Sequence, residues 1–256
     1  MEVLRKKVKT ALSKSGIPGL DFALNPYIGC IHNCIYCYAR CYVDRDVAER
    51  WGEIVIVKDN LLNLLRKEKK VGVVGIGTIT DAYQKIEEKE EVTRKAVKIL
   101  LSKGAKISIQ TKSDLVVRDL DIFKKESVDV GFTITTLEKS KAKILEPNAP
   151  SPEKRVKALE KLSSEGLKTW IFLGPIVPNV SIEEIEEIVE VAASSGSHLY
   201  YDKFRVKNFM KEGYIKELAE EAKKVNWKDV FSKIEEVCRK YKVKAFPAFF
   251  KKNRKF

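Results

Sequence analysis

The feature that most constrains the fold is a regular alternation of apolar, often β-branched segments with amphipathic segments. Six apolar segments read as strands, namely residues 20–25, 71–80, 106–111, 129–135, 168–177 and 197–204. Patterns with the helical period separate most of them, so that successive strands follow at intervals of about 25–35 residues, as parallel βαβ units with right-handed crossovers do. The sequence therefore predicts an α/β fold, a partial (β/α)6 TIM-like barrel whose functional groups lie at the C-terminal ends of the strands.

The remaining segments predict how the chain is divided. Residues 1–17 are basic and weakly patterned, which indicates a tail or a short helix, and residues 53–58 alternate as a half-exposed strand does. From residue 207 onward helical patterns lead into an aromatic, basic tail. A chain of 256 residues is long enough to bury one full core. We expect a catalytic core at 18–206, with 207–256 as a helical C-terminal extension of the same domain.

The sequence NPYIGCIHNCIYCYARCY, residues 25–42, holds four of the five cysteines. Three of them, Cys30, Cys34 and Cys37, have the spacing C-x3-C-x2-C and follow the first predicted strand. Thiolates this close together can converge on one soft metal centre, because sulfur ligands select zinc, copper(I) or iron–sulfur clusters. Three cysteines around a four-iron cube would leave one iron open to another ligand. We therefore predict an open, three-cysteine iron–sulfur cluster.

Two other metal sites are compatible with the same residues. Zinc would need a fourth ligand, either Cys41 or His32, and four ligands within twelve residues would be cramped. A closed cluster with Cys41 as the fourth ligand would suit electron transfer. A disulfide framework is not indicated, because such clustered cysteines in a long chain are typical of a reducing compartment. With no signal-peptide core and no apolar run near the roughly 20 residues that span a bilayer, we expect a cytoplasmic protein without membrane contact.

The charge indicates a partner without identifying it. Lysine and arginine number 49 against 36 acidic residues, which gives a formal net charge of +13. Such a surplus raises affinity for polyanions, and nucleic acid is the natural candidate. The lysines are, however, scattered among glutamates, and a mixture of this kind is also typical of heat-adapted proteins. Charge alone leaves both interpretations open.

Five stretches resemble one known family. They are NPYIGCIHNCIYCYA, GTITDAYQKIE, QTKSDLVVRDLD, FTITTLEKSKAKILEPNAPSPEKRVKAL and LGPIVP, which occur in this order between residues 25 and 180. Together they resemble the radical S-adenosylmethionine (SAM) enzymes, and within them the spore photoproduct lyase-like branch, also called DNA repair photolyase-like. The resemblance implies that Cys30, Cys34 and Cys37 hold a 4Fe–4S cluster whose fourth iron is chelated by SAM. It also implies an external one-electron reductant of the ferredoxin or flavodoxin type, and a 5′-deoxyadenosyl radical that takes a hydrogen atom from the substrate.

The same resemblance assigns candidate roles to five residues around SAM. Tyr36 is expected to pack against the adenine, and Lys112 to pair with the SAM carboxylate, for which an ammonium group is chemically suited. Thr133 matches a hydroxyl position near SAM, and Gly174 matches a small residue whose backbone lies close to the adenosine. Arg155 matches an arginine that follows the EPNAPSPE sequence, with a cofactor-binding or structural role.

Three further residues concern the reaction itself. Asp81 follows the second predicted barrel strand, and its carboxylate is expected to orient cofactor or substrate. Cys41 is a candidate hydrogen donor, with a packed helix cysteine as the alternative. Thr78 stands where the resemblance expects the cysteine that completes spore photoproduct repair, and a threonine O–H bond is too strong to donate hydrogen to a carbon radical. We therefore do not expect this protein to repair spore photoproduct by that mechanism.

Two functional hypotheses follow. The first is a monomeric radical SAM enzyme that acts on nucleic acid or a nucleotide-like substrate. The second is a non-enzymatic nucleic-acid-binding protein, braced by zinc or by a closed iron–sulfur site. Labile sulfide and SAM cleavage would distinguish the first from the second.

Overall fold

The computed structural model describes residues 1–249. In that range the strands are β1 (Glu2–Lys6), β2 (Ser13–Lys14), β3 (Phe22–Leu24), β4 (Tyr27–Ile28), β5 (Ile54–Lys58), β6 (Val73–Ile76), β7 (Lys106–Thr111), β8 (Val128–Thr133), β9 (Lys168–Ile176), β10 (His198–Lys203) and β11 (Ala245–Pro247). The α-helices are α1 (Arg45–Glu49), α2 (Leu61–Lys67), α3 (Glu87–Glu90), α4 (Val92–Ser102), α5 (Lys139–Leu145), α6 (Pro152–Ser164), α7 (Ile185–Ser194), α8 (Gly213–Lys224) and α9 (Trp227–Lys240). Tyr38–Tyr42 and Asp114–Asp121 form 3₁₀ helices.

The main sheet is built from parallel strands in the order β11-β10-β9-β8-β7-β6-β3, with β2 antiparallel to β3 at the far edge. All six strands predicted for the barrel are present in this order, since β3 and β6 to β10 correspond to the six apolar segments. Among residues 1–249, β2 and β11 do not pair with each other, so the sheet is open. The predicted α/β fold with a partial barrel is confirmed.

Helices α4, α6, α7 and α9 pack against strands of this sheet, and each has one apolar stripe. In α4, Val92, Ala96, Val97 and Leu100 are buried at the spacing that places them on one side of a helix. This side packs against α2 and β7. Gly104 follows with a φ of +75°, a conformation that glycine adopts without strain, and the chain turns there into β7. Each crossover of this kind brings the C-terminal end of the next strand to the same rim of the sheet.

A second, small sheet corrects the prediction for the N-terminal segment. β5 lies between β1, to which it is parallel, and β4, to which it is antiparallel. Ile54 to Val57 are all buried, so β5 is not the half-exposed strand that its alternation suggested. The expectation of a tail or short helix at residues 1–17 is also wrong, because this segment supplies β1 and β2. The side chains of β1 are all exposed, so the sequence of this strand has no apolar pattern. Only its backbone pairing with β5 defines it as a strand.

The C-terminal segment contributes to the main sheet. α8 and α9 are helical as expected, but Ala245–Pro247 forms β11 beside β10, with Phe246 paired to Tyr200. The expected helices are present, and the tail that follows them adds a seventh parallel strand to the described sheet, which the sequence did not predict. The domain boundaries, 18–206 and 207–256, stay a prediction, and the basic end of the tail, 250–256, lies outside the described residues. None of the helices formed by residues 1–249 combines the length and hydropathy that crossing a bilayer requires.

Candidate metal centre and cavity

A cavity of about 810 Å³ opens on the inner face of the main sheet. Its wall includes one residue from each of five neighbouring strands, namely Ala23, Gly75, Ser108, Thr133 and Phe172. Side chains alternate between the two faces of a strand. The residues that face the cavity are therefore different from the apolar residues that pack against the helices. Because several inner residues are small or polar, the barrel interior is hollow where a filled barrel would have a core.

The cysteine loop follows β4 and is held in place by segments far along the chain. The N–H of Ile31 donates to Oε1 of Gln84 (2.9 Å), and the side-chain amide of Asn148 donates to the carbonyl of Ile31 (3.0 Å). The N–H of Ile35 donates to the carbonyl of Leu145 (2.9 Å). The loops that follow β6 and β8 therefore fix the conformation in which the cysteines are presented.

The three predicted ligands are free thiols that lie close to one another. Cys30 and Cys34 are buried and Cys37 is partly buried. Burial raises the pKa of all three thiols, that of Cys34 to about 12, and the neighbouring thiols raise the pKa of Cys30 further. Metal ligation requires thiolates, so metal binding here displaces protons. The charge of Lys112 acts in the favourable direction, since it lowers the pKa of Cys34 and Cys37.

The burial of the cysteines bears on the choice between a zinc ion and an iron–sulfur cluster. Within residues 1–249, no three His, Cys, Asp or Glu side chains are arranged to hold one metal ion. A zinc site places its sulfur ligands about 2.3 Å from one ion, whereas a four-iron cube gives each cysteine its own iron and spreads the ligands further apart. Cys41, the fourth cysteine of the loop, is exposed. The three cysteines that are at least partly buried match the ligand number of the open cluster, and Cys41 differs from them by its exposure.

Two buried N–H groups beside the cysteine loop also fit a sulfur-rich group. Trp51 is only 4% exposed and packs with Cys30 and Ala39. The guanidinium of Arg40 lies 6.0 Å from the centre of the Trp51 ring and 5.4 Å from that of Phe209. Nε1 of Trp51 and Nε of Arg40 are buried and have no hydrogen-bond partner among the described residues. An unsatisfied buried donor costs about 1–3 kcal/mol, and an anionic cluster with acceptor sulfurs would remove that cost.

Four of the residues expected around SAM line the cavity together with Cys34 and Cys37; they are Tyr36, Lys112, Thr133 and Gly174. Nζ of Lys112 lies 5.6 Å from the centre of the Tyr36 ring. Burial alone would lower the pKa of Lys112, but Cys34 and Glu146 raise it above its usual value, so this ammonium group stays charged. A charged, buried lysine at the end of β7 is suited to pair with a carboxylate.

Gly174 has a local reason to be glycine. A Cβ added there would lie 2.3 Å from the ring of Phe172, so the absence of a side chain makes room for that ring. This packing is independent of any cofactor, and the predicted approach of the Gly174 backbone to adenosine stays a prediction.

Glu146 is a residue of this site that the sequence analysis did not identify. Its carboxylate is buried, accepts hydrogen bonds from the hydroxyls of Tyr36 and Thr135, and forms an ion pair with Arg155. Nζ of Lys112 lies 3.9 Å from Oε1 of Glu146. Burial would raise the pKa of Glu146, but Arg155 and Lys112 lower it below its usual value. The carboxylate is therefore ionised and orients both Lys112 and Tyr36.

Arg155 lies behind the cavity wall. The side chain is 1% exposed, and besides the ion pair with Glu146 it donates to the carbonyls of Thr133 (3.0 Å) and Pro150 (2.9 Å). It therefore holds the C-terminal end of β8, where Thr133 faces the cavity. The contacts of Arg155 favour the structural role over direct cofactor binding, and the assignment itself stays a prediction.

Asp81 also lies outside the cavity wall, and it joins three segments. It is 8% exposed, and its carboxylate accepts hydrogen bonds from the hydroxyl of Thr111 and the N–H of Lys112, both at 2.7 Å. Nδ1 of His32, in the cysteine loop, lies 3.3 Å from Oδ2. Burial would raise the pKa of Asp81, but His32 and these hydrogen bonds lower it to about 2. Asp81 thus connects the cysteine loop to the residue that carries the cavity ammonium group.

Thr78 and Cys41 lie in different surroundings. Thr78 lines the cavity, and its hydroxyl accepts a hydrogen bond from the side-chain amide of Asn25 (2.9 Å). Cys41 is exposed, lies in the 3₁₀ helix and is not part of the cavity wall, although it is near enough to Cys37 to raise the pKa of that thiol. The interpretation of Cys41 as a packed helix cysteine is therefore wrong. Its role as a hydrogen donor stays a prediction.

The rest of the cavity wall combines cationic and aromatic side chains with aliphatic and small polar ones. Lys14, Lys203, Arg205 and Lys207 supply positive charge, and Tyr38, Tyr42, Phe204 and Phe249 supply rings. Asp202 is the acidic neighbour and pairs with Arg205 (2.8 Å). Cations that surround stacking surfaces are typical of sites that bind single-stranded nucleic acid.

Comparisons with known proteins identify a superfamily by its family model and a similar fold among solved structures. Residues 24–192 match the family model described as the radical SAM superfamily. An uncharacterized protein of Methanocaldococcus jannaschii is 37% identical over 208 residues, which cover 81% of this chain and 79% of that protein. The fold is similar to that of spore photoproduct lyase with dinucleoside spore photoproduct, with a TM-score of 0.73 and 15% identity over 97% of this chain and 82% of that one. A form of that lyase with bound AdoMet and the same dinucleoside has a TM-score of 0.72, at 15% identity and the same coverage.

Proposed function

This chain belongs to the radical SAM superfamily, and from that premise we propose that it is an enzyme whose Cys30, Cys34 and Cys37 hold a 4Fe–4S cluster. The observation that carries the proposal is the position of free, buried thiols beside a cavity that also contains a charged lysine. When bound, the reduced cluster and SAM supply a 5′-deoxyadenosyl radical that abstracts hydrogen from the substrate.

The residues of the cavity wall have separable tasks in this proposal. Lys112 pairs with the carboxylate of SAM, and its ammonium group is kept charged by Glu146 and Cys34. Tyr36 presents its ring to the adenine while its hydroxyl is fixed by Glu146. The hydroxyl of Thr133 accepts a hydrogen bond from the side chain of Gln110 (3.1 Å), and Thr133 lines the cavity together with Gly174. These groups line one cavity, and a radical formed inside it would meet less water and fewer competing hydrogen donors than one at the outer surface.

The substrate class we propose is nucleic acid or a nucleotide-like molecule. The cationic and aromatic residues of the cavity wall support it, as does a structural neighbour that holds a dinucleoside photoproduct. The reaction differs from spore photoproduct repair in at least its last step, because Thr78 faces the cavity where that step would require a thiol. Cys41 is exposed and is not part of the cavity wall, so its proposed role as the hydrogen donor would require this thiol to reach the substrate from outside that wall.

Anaerobic reconstitution tests the cluster. We expect about four irons and labile sulfide per chain, and reduction in the presence of SAM should yield 5′-deoxyadenosine. Cys34→Ser should abolish both, because it removes one of three ligands. Cys41→Ser is the matched control within the same loop and should retain the iron and the cleavage activity. Equal iron loss in both variants would contradict a three-cysteine site.

The substrate is tested by deuterium transfer. Deuterated oligonucleotides and nucleotides are incubated with the reduced enzyme and SAM, and deuterium in 5′-deoxyadenosine is measured by mass spectrometry. Transfer from a nucleotide carbon would support the proposed substrate class, and transfer only from a peptide or another small molecule would contradict it. A chain with one zinc, no labile sulfide and no SAM cleavage would instead fit the non-enzymatic alternative, which the family match does not support.

A further inference from the structure

We propose that the indole N–H of Trp51 and the Nε–H of Arg40 donate hydrogen bonds to the sulfur atoms of the cluster site and thereby raise its reduction potential. The inference rests on the proposed function, because it requires the iron–sulfur cluster that Cys30, Cys34 and Cys37 would hold. It concerns residues outside the C-x3-C-x2-C motif, and neither of them is part of the cavity wall in which we expect SAM.

The first observation is the packing of Trp51. It is 4% exposed and shares an apolar cluster with Cys30 and Ala39, against which Cys37 also packs. Two of the three predicted ligands are therefore its neighbours. Tryptophan usually finds a partner for its N–H when it is buried, and within residues 1–249 Nε1 of Trp51 has none. The indole N–H of Trp51 is therefore an unpaired donor on a side chain that packs beside two of the thiols.

The second observation is the position of Arg40, which lies between Trp51 and Phe209. Nη2 donates to Oδ1 of Asn33 (3.1 Å), which fixes the guanidinium against the cysteine loop. Nε is buried and, in the described part of the chain, is not matched by any acceptor. The charge of Arg40 is close enough to Cys37 to lower the pKa of its thiol, so the guanidinium also favours negative charge at that sulfur.

The electrostatic consequence concerns the two redox states. One-electron reduction adds a negative charge to the cluster, and hydrogen bonds to its sulfurs are stronger in the more negative state. Donors placed here therefore favour the reduced cluster and make it accessible to a milder external reductant. Backbone amides contribute in the same sense, since those of His32 and Ala39 hydrogen-bond to Cys30 and Cys37. Trp51 and Arg40 add the side-chain donors, and these can be removed individually.

The test measures the potential of the reconstituted protein, with iron content and thermal stability as checks on folding. Trp51→Phe keeps an aromatic ring and removes the N–H. In this variant we expect the ratio of reduced to oxidised cluster, measured at a fixed solution potential, to be about tenfold lower than in the wild type. This change corresponds to about 59 mV for a one-electron couple. Arg40→Lys keeps the positive charge and removes the Nε donor, and a fall of several-fold is expected. Trp227→Phe is the matched control, because the Trp227 N–H donates to the carbonyl of Ala222 (3.1 Å) in the C-terminal helices, and it should leave the ratio unchanged.

A second measurement uses the wild-type protein, with one variant as a control. In the wild-type protein labelled with ¹⁵N-indole tryptophan, pulsed paramagnetic resonance of the reduced cluster should detect one coupled ¹⁵N nucleus. That coupling should survive Trp227→Phe. A labelled protein with full iron content but without this coupling, or variants of Trp51 and Arg40 that keep the wild-type ratio, would overturn the inference alone. A wild-type chain that assembles no labile sulfide would overturn the inference together with the proposed function.

Discussion

At the scale of single residues, the buried carboxylate of Glu146 matters most beside the cysteines. It lies between Arg155 and Lys112, and all three side chains are largely or fully removed from solvent. A buried ion pair of this kind adds little net stability compared with apolar packing, but the loss of one partner is expensive because it leaves the other charge buried and unpaired. Glu146 therefore supports the fold and the cavity ammonium group at the same time.

Glu146→Gln tests this dependence. The amide is nearly isosteric, but it leaves Arg155 without a counter-charge, and we expect the free energy of unfolding in urea to fall by about 3–5 kcal/mol. Glu153→Gln in α6 removes one partner of an exposed pair with Lys157 and should cause no measurable change. A loss below about 1 kcal/mol for Glu146→Gln would show that water or another group compensates the charge.

The residues of the site differ in how far the sequence identifies them. The cysteine spacing needs no structural context, because thiols this close together have few other uses. Glu146 lies in a stretch that the family resemblance includes. The sequence nevertheless does not show which of its 36 acidic residues is buried. Trp51 and Arg40 likewise read as ordinary residues of a loop and a short helix. Their importance depends on which atoms lack partners, and that is a property of the folded chain alone.

At the scale of elements, Asp81 joins the ends of two barrel strands to the cysteine loop. Its carboxylate follows β6, accepts hydrogen bonds from the end of β7 and contacts His32. A single carboxylate thus fixes the loop relative to Lys112. This connection depends on the charge of Asp81 and should respond to acid.

The pKa of Asp81 is about 2 in the folded protein, compared with an ordinary value of 3.8. A lowered pKa stabilises the fold above pH 3.8, and this stabilisation is lost as the pH falls through about 2. A shift of this size is worth about 2 kcal/mol at neutral pH. Asp81→Asn should therefore be less stable than wild type by about that amount at pH 7 in chemical denaturation, and the difference should shrink between pH 4 and pH 2. A difference that does not depend on pH would contradict the role of the charge.

The elements themselves were predictable where burial leaves a pattern. The parallel strands of the barrel carry apolar, often β-branched residues on the face that packs against the helices, and the sequence shows them as apolar segments. β1 escaped prediction because its five side chains are all exposed, and only backbone pairing with β5 defines it. β11 is three residues long, contains Pro247 and lies at the edge of the sheet, so neither its length nor its composition indicates a strand.

At the scale of the whole molecule, part of the excess positive charge is concentrated at the cavity. Besides Lys112, four cationic residues line it beside aromatic rings, namely Lys14, Lys203, Arg205 and Lys207. Other lysines pair with glutamates on exposed helix surfaces, as Lys161 does with Glu165 (2.6 Å). The two sequence-based interpretations of the charge, polyanion binding and heat adaptation, therefore apply to different parts of the surface.

The salt dependence of nucleic-acid binding distinguishes the lysines of the cavity wall from those of the exposed helix surfaces. We expect the affinity for a single-stranded DNA oligonucleotide to fall linearly with salt on logarithmic axes. Lys203→Gln and Lys207→Gln should each flatten the slope by about 0.7 if each lysine contacts one phosphate. Lys157→Gln in α6 is a control with the same charge change far from the cavity wall. Equal effects of all three substitutions in fluorescence anisotropy titrations would indicate diffuse attraction in place of a defined contact surface.

The hydrogen bonds of the cysteine loop have a consequence for the order of events during synthesis. Ile31 depends on Gln84, 53 residues later, and on Asn148, 117 residues later, for its two backbone partners. The proposed ligands are thus among the first residues to leave the ribosome, but these contacts form only after α5 and the turn that follows it have been made. We therefore expect insertion of the proposed cluster to follow folding, and a chain truncated before Asn148 to retain less iron on reconstitution than the full chain.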